Sequence, residues 1–479
     1  MADQVRAHER DLLTAGHTAY GLMTQAGTAL WGALRARWPQ AQRIGVLLGS
    51  GQNAGDGLIL ARQARAAGCA VVLFGWFNPA SVQGACADAW AAWQADYVEG
   101  MQALNAHDLA ELDVIVDAGF GIGLAANRPV IGVPAQWIAA VNAAHQRGVG
   151  VISADVPSGL QADTGAGDVM IHADVTVCFL ALKLGLFTGR GAAVAGKVVL
   201  AALVESAPVE STMVAQLLLK VPPLPTKPRD GHKGCFGTVL VIAGNQGMNG
   251  AARMAAEAAL RMGAGKVIVA THPAHAAVLA VGCPELIVQG ITDAAQLTAQ
   301  LALADALVLG PGLGRDDWAQ SLAMRALSTP CPKVVDADGL YFFARFASQR
   351  QPVTGALIIT PHPAEAAQLL GCTTQTVEIN RPQAARDLAQ RFGALTVLKG
   401  AGSVLALPDG LLICGRGSPA LATAGSGDVL AGVIGGLLAI RAAAGLDLND
   451  VLMRAVCWHA IAGELVAAQA GAWGAAATD

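Results

Sequence analysis

The residues best suited to chemistry lie in Gly417–Gly432, which reads GSPALATAGSGDVLAG. A glycine turn there feeds straight into a long apolar helical stretch, so free backbone N–H groups point at whatever sits before it. Asp428 falls at that helix start, where the dipole stabilises a solvated carboxylate by roughly 0.3–1 kcal/mol. A carboxylate beside an anion hole is the pairing that phosphoryl transfer needs: one takes a hydroxyl proton, the other holds the moving charge. A plain N-cap would account for Asp428 but not for the glycines around it. No Walker A spacing occurs, so the site is not a P-loop.

A second constellation occupies the N-terminal half. Ile44–Leu48 runs into Gly49–Gly57 (GSGQNAGDG), whose first six residues fit the dinucleotide pattern GxGxxG/A at a strand-to-helix turn. The acid that would hold a ribose after the second strand is absent, because Ala70–Phe74 is followed by Gly75-Trp76-Phe77. The turn therefore reads as an anion nest, with Asn53 and Asp56 as added polar ligands; a helix cap is the rival reading of Asp56. Asp117 follows Val114–Val116 and opens the loop Gly119-Phe120-Gly121-Ile122-Gly123. Asp155 follows the strand Val151–Ser153 in Asp155-Val156-Pro157-Ser158-Gly159. Alone, each Asp is a turn former, but ends of one parallel sheet converge on one crevice. Oxygens of Asn53, Asp117 and Ser158 would suit a hard monovalent cation. Lys183, in an apolar stretch past the fifth strand, needs a partner or a function.

The elements that must position these residues alternate strand and helix. Ile44–Leu48, Ala70–Phe74, Val114–Val116, Val151–Ser153 and Val175–Phe179 read as short buried strands separated by Ala-rich helical stretches. The rhythm restarts with Val239–Ala243, Val267–Ala270, Leu307–Leu309, Val334–Val335, Leu357–Thr360 and Thr396–Leu398. Two α/β domains follow, each a parallel sheet covered on both faces. The four prolines of Pro222–Pro228 mark the expected linker or edge.

Both halves resemble known families. GxGxNxGDG, DAxFGxG, DVPSGLxADTG and ADVTVxFxxxKxG resemble the NAD(P)H-hydrate epimerase domain. That likeness implies a Rossmann-like α/β/α sandwich that takes the hydrated nicotinamide nucleotide beside a potassium ion. By it, Gln52, Asn53, Ala54, Gly55 and Asp56, with Gly121, Ile122, Gly123 and Leu124, would bind substrate. Asn53, Asp117 and Ser158 would hold potassium, Asp155 would touch the hydrate, and Asp155 or Lys183 would carry protons. Ala54, Ile122 and Thr24 stand where that family usually has Gly, Thr and Glu.

The C-terminal half resembles the ribokinase-like superfamily at its GxGD motif. The ADP-dependent NAD(P)H-hydrate dehydratase is matched further at His232-Lys233-Gly234, Gly244–Gly265, Gly310–Gly314, Asp336–Leu340, Thr360–Glu365 and Lys399–Ser403. This implies ADP or ATP as phosphoryl donor, with Mg2+. Lys399, Gly400, Ala401, Gly402 and Ser403 would bind the nucleotide together with Ala422, Thr423, Ala424, Gly425, Ser426 and Gly427. Gly312, His362, Pro363, Ala364, Glu365 and Asp428 would meet the hydrate, Asp428 as the base. His362 could instead serve only its helix start, and Asp336 and Asp338 would shape the site. Together the two likenesses imply an epimerase domain over 1–215 and a dehydratase domain over 216–479, repairing NADHX or NADPHX. The rival is a small-molecule kinase fused to a non-catalytic binding module.

Composition limits the other classes. Hydrophobic residues make up 54% and charged residues 14% of the 479, enough apolar matter for two cores. Net charge is −4 with no basic run, so nucleic acid has no electrostatic footing. The twelve apolar residues between Asp428 and Arg441 are too few to span a bilayer, and the charged N-terminus lacks a signal core. Nine scattered cysteines without CxxC spacing read as free thiols of a reducing cytoplasm. A cytoplasmic homo-oligomer with a small-molecule substrate is the expectation.

Overall fold

The computed structural model describes residues 2–76, 81–97, 100–102, 109–124, 129–205, 214–348 and 353–479. The chain divides into two compact units, Met1–Val214 and Ala215–Asp479.

In the first unit, β1 (Arg43–Leu48), β2 (Ala70–Gly75), β3 (Val114–Ala118), β4 (Gly150–Ala154), β5 (Val175–Phe179) and β6 (Lys197–Ala201) form one sheet. The strand order is β2-β1-β3-β4-β5-β6 and every pairing is parallel. Side chains alternate between faces along a strand. Ile44, Val46 and Leu48 therefore pack with the helices Ala19–Arg37, Asn53–Ala66 and Ala85–Asp96, while Leu47 packs against Trp137 and Ile138 of Val133–Gln146. The order reverses between β1 and β3, the switch point at which a parallel sheet gathers its ligands.

The second unit holds a ten-stranded sheet. Its strands are β7 (Ala215–Leu218), β8 (Thr238–Ile242), β9 (Lys266–Thr271), β10 (Ile287–Gly290), β11 (Ala306–Leu309), β12 (Lys333–Val335), β13 (Leu357–Ile359), β14 (Leu395–Leu398), β15 (Val404–Leu407) and β16 (Gly410–Cys414). The order is β10-β9-β8-β11-β12-β13-β14-β15-β16-β7. The run from β10 to β14 is parallel, but β15 is antiparallel to both neighbours. The expected all-parallel sheet is thus mixed at one side, where Pro408-Asp409 turns a two-residue hairpin. Pro222–Pro228 does not separate the units either. β7 precedes it and pairs with β16, so the proline run lies inside the second unit.

Helix Ser426–Ala444 carries the GxGD motif into the core of this unit. It runs on past the twelve-residue apolar stretch. With Leu448–Ala470 it is one of two described helices long and apolar enough, by length and composition, to cross a membrane. The two apolar windows are 61% and 44% buried inside the protein. Glycine makes the burial possible: a Cβ on Gly432 would stand 2.1 Å from the Ala255 carbonyl oxygen, and one on Gly436 2.6 Å from that of Ala259. In an exposed helix Gly→Ala gains about 1 kcal/mol. Here the obstacle is backbone that cannot swing aside, and overpacking costs about 1–3 kcal/mol. Gly432→Ala is expected to lower the melting temperature; a rise would show that the helices separate without cost.

Of the nine cysteines, all free, only Cys235 and Cys372 are exposed.

Candidate active sites

In the second unit the strand order reverses between β8 and β11, and the loops after them are joined. Gly244 N donates to Pro311 O at 3.0 Å and Asn245 N to Gly312 O at 2.7 Å. Gly312 takes φ +55°, and a Cβ there would press on Met248 and Ala251. From the end of β12, Asp336 reaches across to the end of β14, where its Oδ1 accepts from Lys399 Nζ at 2.6 Å. Burial of the Lys399 ammonium works against its charge, but Asp336, Glu365 and Asp428 together hold its pKa above the ordinary lysine value.

The GxGD turn lies against this pair: a Cβ on Gly427 would be 3.3 Å from Lys399 Nζ and 3.5 Å from Asp336 Oδ2. Gly425, at φ +92°, begins the helix Ser426–Ala444 without any side-chain cap. Asp428 does not cap that helix, contrary to the simpler reading of its position. It accepts no hydrogen bond among the described residues. Its pKa is raised to about 6 by burial and by the charge of Asp336, with Lys399 opposing. Asp428 is thus a desolvated carboxyl beside the Lys399–Asp336 pair, in the first turn of a helix led by glycine.

His362 does cap its helix. Its Nδ1 accepts from Ala364 N at 3.1 Å and Glu365 N at 3.4 Å, while Glu365 Oε2 accepts from His362 N at 2.8 Å. Its Nε2 lies 3.4 Å from Glu365 Oε1. Pro363 and Ala364 form the first turn, and burial raises the Glu365 pKa. Asp338 braces the neighbouring turn through Gly314 N at 3.0 Å and Arg315 Nε at 2.9 Å.

Two residues at this site had no motif to mark them. Arg381, buried, donates from Nη2 to the carbonyls of Leu398 at 3.3 Å and Lys399 at 3.0 Å. Its guanidinium also lies where a Cβ on Gly400 (φ +142°) would fall. It supports the Lys399–Ser403 turn, within which Ser403 Oγ donates to Gly400 O at 3.2 Å. His459, with a pKa lowered to about 4 by burial, is neutral and stands 3.0 Å from Ser426 O. A solitary Arg and a solitary His in helical stretches offer no spacing that could have found them.

In the first unit the loops after β1 and β3 touch closely: Gly49 N donates to Ala118 O at 3.2 Å, and a Cβ on Gly49 would overlap Gly119 O. Asp117, fully buried, accepts from Ser153 Oγ at 2.8 Å, Ser158 N at 2.7 Å, Ser158 Oγ at 2.5 Å and Gly119 N at 3.2 Å. The Phe120 peptide joins Ser158 to Asn53, its N–H donating to Ser158 Oγ and its carbonyl accepting from Asn53 Nδ2. Asp117 has no cationic side chain among these partners, and burial raises its pKa. Asn53 meets this cluster through its amide nitrogen, which also donates to Ala154 O at 3.1 Å. Among the described residues no group of three or more His, Cys, Asp or Glu could hold a metal ion.

Asp155 follows β4 at φ +67°, a conformation costly for a non-glycine residue. Its Oδ1 accepts from Phe179 N at 3.1 Å and from Lys183 Nζ at 2.5 Å. Lys183 therefore has its partner, and both are buried. Asp56 is the surprise. The stretch expected as a loop is the first turn of the helix Asn53–Ala66, and Asp56 caps nothing. Its buried carboxyl accepts no hydrogen bond among the described residues. Burial, then the charges of Asp155 and Glu9, raise its pKa well above the carboxylate range against the pull of Lys183. Gln52 spans Gln83 O and Cys86 N, Ala54 is fully buried, and Gly55 backs onto Met23. Gly121 lies against Asn53, while Gly123 is exposed and Leu124 half-buried. Ile122 packs with Val5 and Leu12 of the helix Ala2–Thr14, and its carbonyl accepts from Arg6 Nη2 at 3.2 Å. Thr24 donates its hydroxyl back to Tyr20 O.

A Rossmann-like unit and a ribokinase-like unit, each with polar residues at the ends of its parallel strands, define a two-domain α/β enzyme of the nucleotide-handling class. Family models agree: residues 239–479 match the NAD(P)H-hydrate dehydratase model and residues 19–185 the YjeF-related protein N-terminus. The bifunctional NAD(P)H-hydrate repair enzyme Nnr of Coxiella burnetii is 40% identical over 99% of this chain and 96% of its own length. Its namesake from Escherichia coli is 37% identical over 100% and 91%. Among solved structures, the ADP/ATP-dependent NAD(P)H-hydrate dehydratase of Bacillus subtilis is 30% identical over 53% of this chain and 88% of that one, with a TM-score of 0.46. The chain belongs to the bifunctional NAD(P)H-hydrate repair enzyme family.

Proposed function

We propose that the second unit dehydrates the S epimer of NADHX or NADPHX at the expense of ADP or ATP, and that the first unit interconverts the R and S epimers. The observation that carries this reading is the unpaired Asp428 carboxylate at the open start of helix Ser426–Ala444, against the Lys399–Asp336 pair. The hydrate bears a hydroxyl on the ring carbon next to nitrogen, and hydroxide leaves poorly. Asp428 takes the proton as the hydroxyl oxygen of the hydrate attacks the terminal phosphate of the donor and displaces AMP from ADP or ADP from ATP, while the N–H groups of Gly425–Gly427 hold the moving charge. The nitrogen lone pair then expels phosphate, and loss of a proton from the neighbouring carbon restores the dihydronicotinamide.

In this reading Lys399–Ser403 and Ala422–Gly427 bind the nucleotide, with Arg381 holding the first of these turns in shape. Gly312 and His362–Glu365 meet the hydrate, and Mg2+ travels with the donor phosphates. In the first unit Asn53, Asp117 and Ser158 would hold potassium, which neutralises a buried carboxylate. Asp155 and Lys183 move the protons as the same ring carbon loses and regains its hydroxyl.

The test supplies a mixed-epimer hydrate with ADP or ATP and follows the return of reduced-nicotinamide absorbance in potassium or lithium buffer. In potassium both epimers should be repaired; in lithium one should be consumed and the other should persist. A stable phosphorylated product in place of NADH would make the second unit an ordinary kinase. Equal epimerisation in the two salts would remove the cation from Asp117.

A further inference from the structure

A cavity of ≈ 320 Å³ in the second unit lies between the helices Asp338–Ser348 and Pro363–Leu370, with Arg315, Tyr341, Arg345, Glu365 and Gln368 in its wall. Nothing in the reaction proposed above uses its two arginines. Both lie over one ring: Cζ of Arg315 is 4.7 Å and that of Arg345 5.6 Å from the Tyr341 centroid. Arg345 Nη1 also donates to the Tyr341 hydroxyl at 2.8 Å. Arg315 is held by Asp338, whose other oxygen accepts from Gly314 N. Arg345 has no carboxylate partner among the described residues.

Among the described residues the two guanidiniums of this wall have one carboxylate partner between them, Asp338, and so leave positive charge that an anion would match. The planar forks suit phosphate oxygens in particular. The wall also meets the proposed site. Ala337 lines the cavity and joins Asp336, bonded to Lys399, to Asp338. Glu365 lines it too, feels the charges of Lys399 and Asp336, and is pushed toward its neutral form by burial.

We infer that this cavity receives a phosphate of the hydrated dinucleotide, either its pyrophosphate or its 2′-phosphate, on Arg315 and Arg345. The inference rests on the proposed function and names the part of the substrate that lies away from the reacting ring. The donor nucleotide is the less suitable occupant, because its terminal phosphate must lie at Gly425–Gly427.

Arg345→Ala and Arg315→Ala in the full chain test it, through KM for NADHX, NADPHX, and ADP or ATP, with direct titration of NADPH and NADH. Losing a charge-assisted hydrogen bond should raise KM for the hydrate about 10- to 100-fold, with KM for the donor unchanged. A rise for NADPHX alone assigns the 2′-phosphate; an equal rise for both hydrates assigns the pyrophosphate. Unchanged hydrate KM in both variants, or a rise confined to the donor, overturns the inference. Should the parent itself fail to repair the hydrate, the proposed function falls. NADPH titration then decides the cavity alone: undiminished binding by both variants refutes it, and weakened binding supports it.

Discussion

Asp428→Asn is expected to slow dehydration ~10²–10⁴-fold while the melting temperature stays at or above that of the parent. The rate falls because an amide cannot take the hydroxyl proton. Stability is spared because Asp428 accepts no hydrogen bond from its helix. Its raised pKa also means that the folded protein disfavours the carboxylate at neutral pH, a penalty that Asn removes. The same shift sets the pH profile. A base with pKa about 6 is protonated and idle below that value, so the parent rate should climb through about pH 6 and level off above it. Nucleotide binding and epimerisation should persist in the variant. Dehydration within a few-fold of the parent, or under roughly 1 kcal/mol in barrier, would force the mechanism to be abandoned.

Lys183→Ala is expected to lose both epimerisation, ~10²–10⁴-fold, and stability, by about 3–5 kcal/mol. Burial of the ammonium opposes its charge, yet Asp155, Cys178 and their hydrogen bonds outweigh it and hold the Lys183 pKa above its ordinary value. Truncation would leave Asp155 buried without that partner. A structural and a chemical role both predict damage, so a second variant has to part them. Lys183→Ala combined with Asp155→Asn removes both charges together, and Asn tolerates the positive φ that Asp155 adopts. The double variant should regain much of the lost melting temperature but none of the epimerisation. Recovery of the rate along with stability would return the pair to a purely structural role, with dehydration in the other unit as the unaffected control.

Much of this protein is decided by short-range chemistry that a sequence displays. Gly49, Gly312 and Gly425 stand where loops touch or φ turns positive; such positions exclude side chains whatever the rest of the chain does. The apolar runs at Ile44, Val114, Val239 and Leu307 became the central strands because a strand buried on both faces must be continuously apolar. Asp117, Asp155 and Asp336 sit at the ends of such strands, which is where a parallel sheet gathers its ligands.

Tertiary packing decided the rest. The brief apolar runs of β7, β15 and β16 carry no sign of strand direction, and only their pairing made the second sheet mixed and put Pro222–Pro228 inside its unit. Arg381, His459 and Arg315 act through partners many residues away, so no local spacing records them. Asp428 and Asp56 show the same limit from the other side. An acid in the first turn of a helix resembles a cap in one dimension. Whether it caps or stays an unpaired, desolvated carboxyl depends on which donors the surrounding fold places within reach.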